Sequence, residues 1–387
     1  MPAGGDPLPM GTAPRRVLIL IKGLTPGGAE RLLLDMLDSA DRQRYEYEVA
    51  YVLEAADELA PELVASGRTV HPLRAKHDWD LRWLTRLRRL LVQGHYDVVH
   101  AHLPYAATMG RLVAATLPAR SRPKLVYTEH SMWDKMAVLV RILNRSSLSL
   151  NDELIVVSEA ARQVLPRRFR KRAHVVIHGV RLPDVTTIVA TRDRIRASIR
   201  SELAVPNTDL LVLTIANLRP EKGYEVLLAA ARQLADSGVP VQFAAAGLGP
   251  LEAHVHAEVD RLRLGGRFRL LGYRTDVLEL LAAADIFVLP SHHEGLPVVL
   301  MEATAVGVPI VASAVGEIPR LLTDGKSGLL VAPGQPAELT GAITRLVDHP
   351  DLRRQLAEGA TEVSQQFDVD SATRQVEDIY DAVLERP

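Results

Sequence analysis

The chain has 387 residues, 47% of them hydrophobic, and no cysteine, so it exceeds what one core usually holds and excludes disulfides and thiolate metal sites. Its formal charge of −1 conceals a split: residues 1–200 carry 31 Lys and Arg against 21 Asp and Glu, a net +10, whereas residues 201–387 carry 15 against 26, a net −11. Two domains are therefore expected, the basic one meeting something anionic, and no apolar run is long enough to span a bilayer.

Residues 1–14 are rich in Pro and Gly without an apolar core, which predicts a disordered tail rather than a signal peptide. Strand-like runs follow at Val17–Ile21, Tyr47–Leu53, Val98–His100, Leu125–Thr128 and Leu154–Val157. Others lie at Leu210–Ile215, Gln242–Ala246, Phe268–Leu271, Ile286–Leu289 and Ile310–Ala312. Amphipathic stretches separate them, an alternation that means parallel sheets with crossover helices. Residues 183–206 hold Pro183, a polar charged stretch and Pro206, with no strand, and are expected to be the interdomain linker. This leaves doubly wound domains over 15–182 and 207–369, then an amphipathic segment over 370–387 with Val376, Ile379, Tyr380 and Val383 on one side. Ligands in such sheets bind outside the carboxyl ends of the strands.

After the first strand, Lys22 to Arg31 is a glycine-rich turn opening a helix. Gly27 and Gly28 let backbone approach a ligand, and the helix start offers N–H groups to phosphate. The dinucleotide spacing is missing, so a nicotinamide enzyme is not expected, although Glu54 could mimic a ribose-binding acid. His102 and His130 each end a strand. The helix Leu81–Leu91 puts Arg82, Arg86 and Arg89 on one face, and Arg167 to Arg172 forms a second basic cluster. These are either solvated faces or a contact with anionic lipid. Two Asp-x-Asp triplets occur at Asp78–Asp80 and Asp368–Asp370, but neither follows a buried strand. Asp80 and Asp370 are read as helix caps, so no metal is expected.

In the acidic half, Ala216 to Gly223 ends a strand and sets Arg219 and Lys222 beside a helix start, concentrating positive charge where a diphosphate would lie. Asp285–Leu289 then enters a loop containing Glu294, and Pro297 suits the first position of a helix that carries Val298 and Glu302. A carboxylate near a helix start is stabilised in its charged form and can accept from two adjacent sugar hydroxyls. Two of them suggest two polyol ligands.

The run from Glu294 to Glu302, with Gly295, Pro297, Ala303, Gly307 and Pro309, resembles the E-x7-E signature of retaining glycosyltransferases of family 4. Gly27-Gly28-Ala29-Glu30 resembles that family's GGxE loop beside the donor phosphates and acceptor. Ala216 to Gly223 resembles its G-R-L-x-x-E-K-G segment, matching at Lys222 and Gly223. Asn217 stands in the Arg position, and Arg219 could supply the guanidinium from two residues on. Gly247-Leu248-Gly249-Pro250 resembles the loop near the nucleotide, and Leu271-Gly272-Tyr273-Arg274 the segment whose backbone flanks the base.

The resemblance implies an α/β fold called GT-B: two facing Rossmann-like doubly wound domains, an interdomain cleft, and a C-terminal helix crossing back to the first domain. It implies a UDP- or GDP-sugar donor held by Gly27, Gly28, Asn217, Arg219, Lys222, Gly247, Tyr273, Arg274, Glu294, Gly295, Leu296, Pro297, Val298 and Glu302. His130, Arg219, Lys222 and Glu294 would be catalytic, with His102 and His130 on the acceptor side. The acceptor is a hydroxyl, lipid-linked in some members. The nucleotide sugar is a co-substrate, and no cofactor, metal or nucleic acid is implied. A cytoplasmic protein is expected, with peripheral contact at the inner membrane face through Arg82, Arg86, Arg89 and the cluster from Arg167 to Arg172.

Three other readings compete. A glycosidase would use Glu294 and Glu302 to flank one bond, which leaves the phosphate-binding neighbourhood without purpose. A nucleotide-sugar epimerase of the same architecture is closer, and Asn217 keeps a catalytically silent nucleotide-sugar binder open.

Overall fold

The computed structural model describes residues 13–25, 27–130 and 138–386, so the expected tail lies almost entirely outside the described residues. The chain forms two units, Met1–Ile177 with Asp370–Pro387, and His178–Val369.

The first unit is built on a parallel sheet of β1 (Arg15–Ile21), β2 (Tyr45–Leu53), β3 (Thr69–Ala75), β4 (Val98–His102), β5 (Lys124–Glu129), β6 (Glu153–Val156) and β7 (Ala173–Val175). Their order is β3-β2-β1-β4-β5-β6-β7. Val17 to Ile21 are fully buried, because a strand covered on both faces places alternate side chains into two cores. Leu18 and Leu20 join Trp83, Leu87 and Val113 on one face. Val17, Ile19 and Ile21 join Leu33, Leu37, Val376 and Tyr380 on the other.

That second core includes the C-terminal helix, Val369–Leu384. Its apolar stripe buries Val376 and Tyr380, each worth roughly 1.5–3 kcal/mol against exposure. Polar bonds set its position: the Glu377 carboxylate accepts from Asp41 N at 3.0 Å and Tyr47 OH at 3.2 Å. Tyr380 OH lies 2.5 Å from His100 Nδ1. Asp370 falls within the first turn of this helix rather than ahead of it, whereas Asp80 does accept the N–H of Arg82, at 3.2 Å.

The second unit has β8 (Leu210–Ile215), β9 (Val241–Ala246), β10 (Phe268–Gly272), β11 (Ile286–Leu289), β12 (Ile310–Ser313) and β13 (Leu329–Val331), all parallel, in the order β10-β9-β8-β11-β12-β13. The strand order reverses between β1 and β4 in one sheet and between β8 and β11 in the other. Carboxyl ends at such switch points are where open sheets leave a ligand crevice.

All ten expected strands form. The three that the apolar runs did not show, β3, β7 and β13, are edge strands. An edge strand needs less apolar surface and tolerates Pro72, because one side of its ladder is unpaired. The stretch read as a linker, 183–206, is mainly helical instead, as Leu182–Ala190 and Arg192–Glu202, and belongs to the second unit. Pro183 sits in the first turn, where its missing N–H costs nothing. The charged residues are spent on tertiary bonds: Arg196 and Arg200 both pair with Asp285, at 2.5 and 3.0 Å. No helix among the described residues is long and apolar enough to cross a membrane.

Candidate functional site

At the carboxyl end of β8 the chain makes a single turn, Pro220–Lys222, ending at Gly223 in a left-handed conformation (φ +67°). A Cβ there would run into the carbonyl oxygen of Pro290, just after β11. The close approach lets His292 N donate to Glu221 O at 2.9 Å, fastening the two switch-point loops. Lys222 Nζ then lies 2.7 and 2.9 Å from the carboxylate oxygens of Glu294, and Ser291 Oγ donates to Oε1 at 2.7 Å. The pair is shielded, with side chains 21% and 7% exposed, and Ser291 is fully buried.

The loop after β12 closes on the other side of Glu294. Gly316 (φ +58°) leaves no room for a side chain against the Glu294 carbonyl, and Glu317 N donates to Gly295 O at 3.3 Å. Sequence reading singled out neither Ser291 nor Gly316. Their only local signals are a Ser three residues before Glu294 and a Gly in the turn after a buried strand.

The helix after Glu294 is Val298–Val306, and Pro297 is its extended cap (φ −72°, ψ 123°) rather than its first residue. Gly295, Leu296 and Pro297 thus join Glu294 on the loop, while half-buried Glu302 sits one turn into the helix between buried Met301 and Ala303. Neighbouring loops are joined by backbone: Leu218 N donates to Leu248 O at 3.0 Å and Gly247 N to Gly272 O at 2.8 Å. Asn217 and Arg219 are exposed on this platform, and the Arg219 guanidinium has no bond to any of the described residues. Tyr273 is half-exposed. Arg274 is committed to Asp276, at 2.7 Å, and to Glu202, which raises its pKa above the usual arginine value, so its charge is neutralised locally.

In the first unit, Gly27 is the extended cap of the helix Gly28–Asp38, and its carbonyl accepts from Arg31 N at 2.9 Å. Glu30 folds back against Gly27, and burial raises its pKa. His102 and His130, ending β4 and just past β5, come together with Nδ1 and Nε2 2.9 Å apart and their rings stacked. His102 is only 1% exposed, so of the two His130 offers the accessible edge.

The basic residues are partly structural. Arg82 pairs with Asp80 at 2.8 Å, and Arg86 donates to the carbonyls of Leu73 and Arg74 at 2.7 and 3.0 Å. Arg88 and Arg89 remain exposed. In the second cluster Arg168 lies over the Phe169 ring, and Arg170 donates to Leu165 O at 2.8 Å.

Comparison with known proteins agrees with this architecture. The family model described as Glycosyltransferase Family 4 matches residues 26–183, and that of Glycosyl transferases group 1 matches residues 195–363. An α-D-kanosaminyltransferase of Streptomyces kanamyceticus is 25% identical over 78% of this chain and 80% of its own. A D-inositol 3-phosphate glycosyltransferase of Acidothermus cellulolyticus is 30% identical over 76% of this chain and 69% of its own. Anabaena HepE, solved with UDP and glucose, superposes with a TM-score of 0.82 at 23% identity, over 95% of this chain and all of that one. Sucrose-phosphate synthase of Thermosynechococcus elongatus does so at 0.77 and 19%, over 96% and all of that chain. The chain belongs to the glycosyltransferases of the GT-B fold, with a family 4 region followed by a group 1 region.

Proposed function

We propose that the protein transfers a hexosyl group from a nucleotide-diphosphate donor to an acceptor hydroxyl with retention at the anomeric carbon. The observation that carries this reading is the Lys222–Glu294 pair at the switch point of the second sheet, buttressed by Ser291. Lys222 and Arg219 stabilise negative charge on the departing diphosphate, because fixed cations in a shielded site act on charge as it forms. Glu294 orients the donor sugar, and Glu302 accepts from the ribose hydroxyls. Gly247, Tyr273 and the backbone at Arg274 flank the base. His130, backed by His102, hydrogen-bonds on the sugar and acceptor side. The leaving phosphate takes the acceptor proton from the same face, so neither a protein nucleophile nor a metal or other cofactor is invoked. UDP is the favoured nucleotide, since Anabaena HepE was solved with UDP and UDP-glucose. Relatives named for D-inositol 3-phosphate support an acceptor that is itself a polyol.

Screening UDP- and GDP-sugars for slow donor hydrolysis tests this without an acceptor. Glu294→Ala should abolish turnover and leave nucleotide affinity largely intact; unchanged turnover would remove Glu294 from its assigned place. Nucleotide binding without turnover on any donor would favour the silent binder, for which exposed Asn217 is the motive. An epimerised sugar in the same assay would favour the epimerase.

A peripheral contact of the first unit with an anionic cytoplasmic membrane face is part of the same reading. Exposed Arg88 and Arg89 support it, as does the helix Val138–Ser147, which exposes Val138, Leu139 and Ile142 beside Arg145. Failure to sediment with anionic vesicles at low salt would remove it.

A further inference from the structure

The first unit holds an open hollow of about 430 Å³ that none of the residues assigned so far lines. Its walls are Leu53, Ala55 and Ala56 at the end of β2 and the loop from Lys76 to Trp79 after β3. It therefore lies at the carboxyl ends of parallel strands, where open sheets take ligands, and its size is that of a small-molecule site, roughly 300–1,000 Å³.

The loop is fastened on both sides of Trp79. Asp80 accepts from Lys76 N at 3.1 Å and from Arg82 N at 3.2 Å. Asp78 is held by its carbonyl, which accepts from Tyr105 OH at 2.6 Å, and by its carboxylate, 3.0 Å from Lys22 Nζ. Trp79 is nonetheless 76% exposed, whereas Trp83, four residues on, is fully buried in the core. A large aromatic side chain kept in solvent by a loop that is itself well anchored is a surface held for a partner rather than a frayed end.

We infer that this hollow binds a pyranose ring of the acceptor, stacked on the indole of Trp79. The inference rests on the glycosyl-transfer reading above and adds to it where the acceptor sits in the first unit. The negative face of an indole attracts the weakly positive C–H face of a pyranose. The ring hydroxyls then point outward, where Lys76, His77 and Asp78 offer donors and acceptors. The apolar wall of Leu53, Ala55 and Ala56 suits the C–H edge of the same ring.

Fluorine NMR of protein labelled with fluorotryptophan tests this, with Trp79→Phe identifying the Trp79 signal among those of the three tryptophans. The probes are methyl glycopyranosides of glucose, galactose, mannose and N-acetylglucosamine, with maltose and cellobiose, and sorbitol as a polyol without a ring. At least one ring sugar should shift the Trp79 signal saturably and leave that of Trp83 in place. By calorimetry Trp79→Ala should weaken that sugar's binding by about tenfold or more, and Trp79→Tyr should restore it to within about threefold of the parent. The unmoved Trp83 signal reports that the variants fold. The inference is overturned if no ring sugar moves the signal, if sorbitol moves it equally, or if Trp79→Ala binds as tightly as the parent. UDP binding to the parent is measured separately: its absence counts against the donor site in the second unit and leaves the Trp79 result standing.

Discussion

Lys222 directs its ammonium at both carboxylate oxygens of Glu294, 2.7 and 2.9 Å away, while Ser291 donates to one of them. Each charge is the main compensation for the other in a site largely closed to water. Removing Lys222 alone leaves a shielded carboxylate, so Lys222→Met should destabilise the second unit by about 1–3 kcal/mol, tempered by the partial exposure of the lysine. The double variant Lys222→Met, Glu294→Gln should recover about 1 kcal/mol or more of that loss. Urea unfolding of the four proteins measures the coupling; additive effects would show that the pair contributes nothing to folding.

Gly316 and Gly325 make a controlled comparison. Both have positive φ, +58° and +71°, but a Cβ on Gly325 meets open space, whereas on Gly316 it meets the carbonyl of Glu294. Gly325→Ala should cost about 1–2 kcal/mol of backbone strain and leave donor turnover unchanged. Gly316→Ala must also displace the Glu294 loop, and a shift near 1 Å there should lower turnover by about 100-fold. Equal turnover in the two variants would mean that the loop after β12 does not position Glu294.

His178 is 4% exposed, and burial lowers its pKa to about 4. The unfolded chain, with an ordinary imidazole near 6.5, binds the proton better than the folded one, so this contribution to stability is complete above about pH 6.5. It declines as pH falls toward 4, by about 3 kcal/mol in total. His178→Asn should flatten the dependence of unfolding free energy on pH between 4 and 6.5. An unchanged slope would assign the acid sensitivity to other groups.

The C-terminal helix should be essential to the first unit. Tyr380→Phe loses one hydrogen bond, to His100, at about 0.5–1.5 kcal/mol. Tyr380→Ala opens the core shared with Tyr45 and Val376 and should cost about 3–5 kcal/mol. Deleting residues 370–387 uncovers that whole face and should leave the first unit unable to fold cooperatively. A truncated protein with the parent's melting behaviour would contradict the packing of this helix into the first unit's core.

Much of the architecture was legible because it is local. Val17–Ile21 and Ile286–Leu289 are apolar runs that no exposed element could carry, and their alternation with amphipathic stretches implies parallel sheets. Strands β3, β7 and β13 escaped because an edge needs too little apolar surface to leave a pattern. Residues 183–206 look like a linker in sequence because their charges read as solvated, yet they fold mainly as two helices of the second unit. Arg196 and Arg200 find their partner in Asp285, far along the chain.

By itself, then, the sequence determined the class of fold, the strand ends carrying Glu294, Lys222 and His130, and the resemblance at Gly27-Gly28 and Glu294–Glu302. Only the tertiary structure decided which of these groups meet. Lys222 and Glu294 are 72 residues apart, and the glycines that let their loops close are ordinary turn residues until the opposing backbone is in place. Periodicity is a property of neighbours along the chain, whereas hydrogen-bond partners and steric room depend on which strands lie side by side.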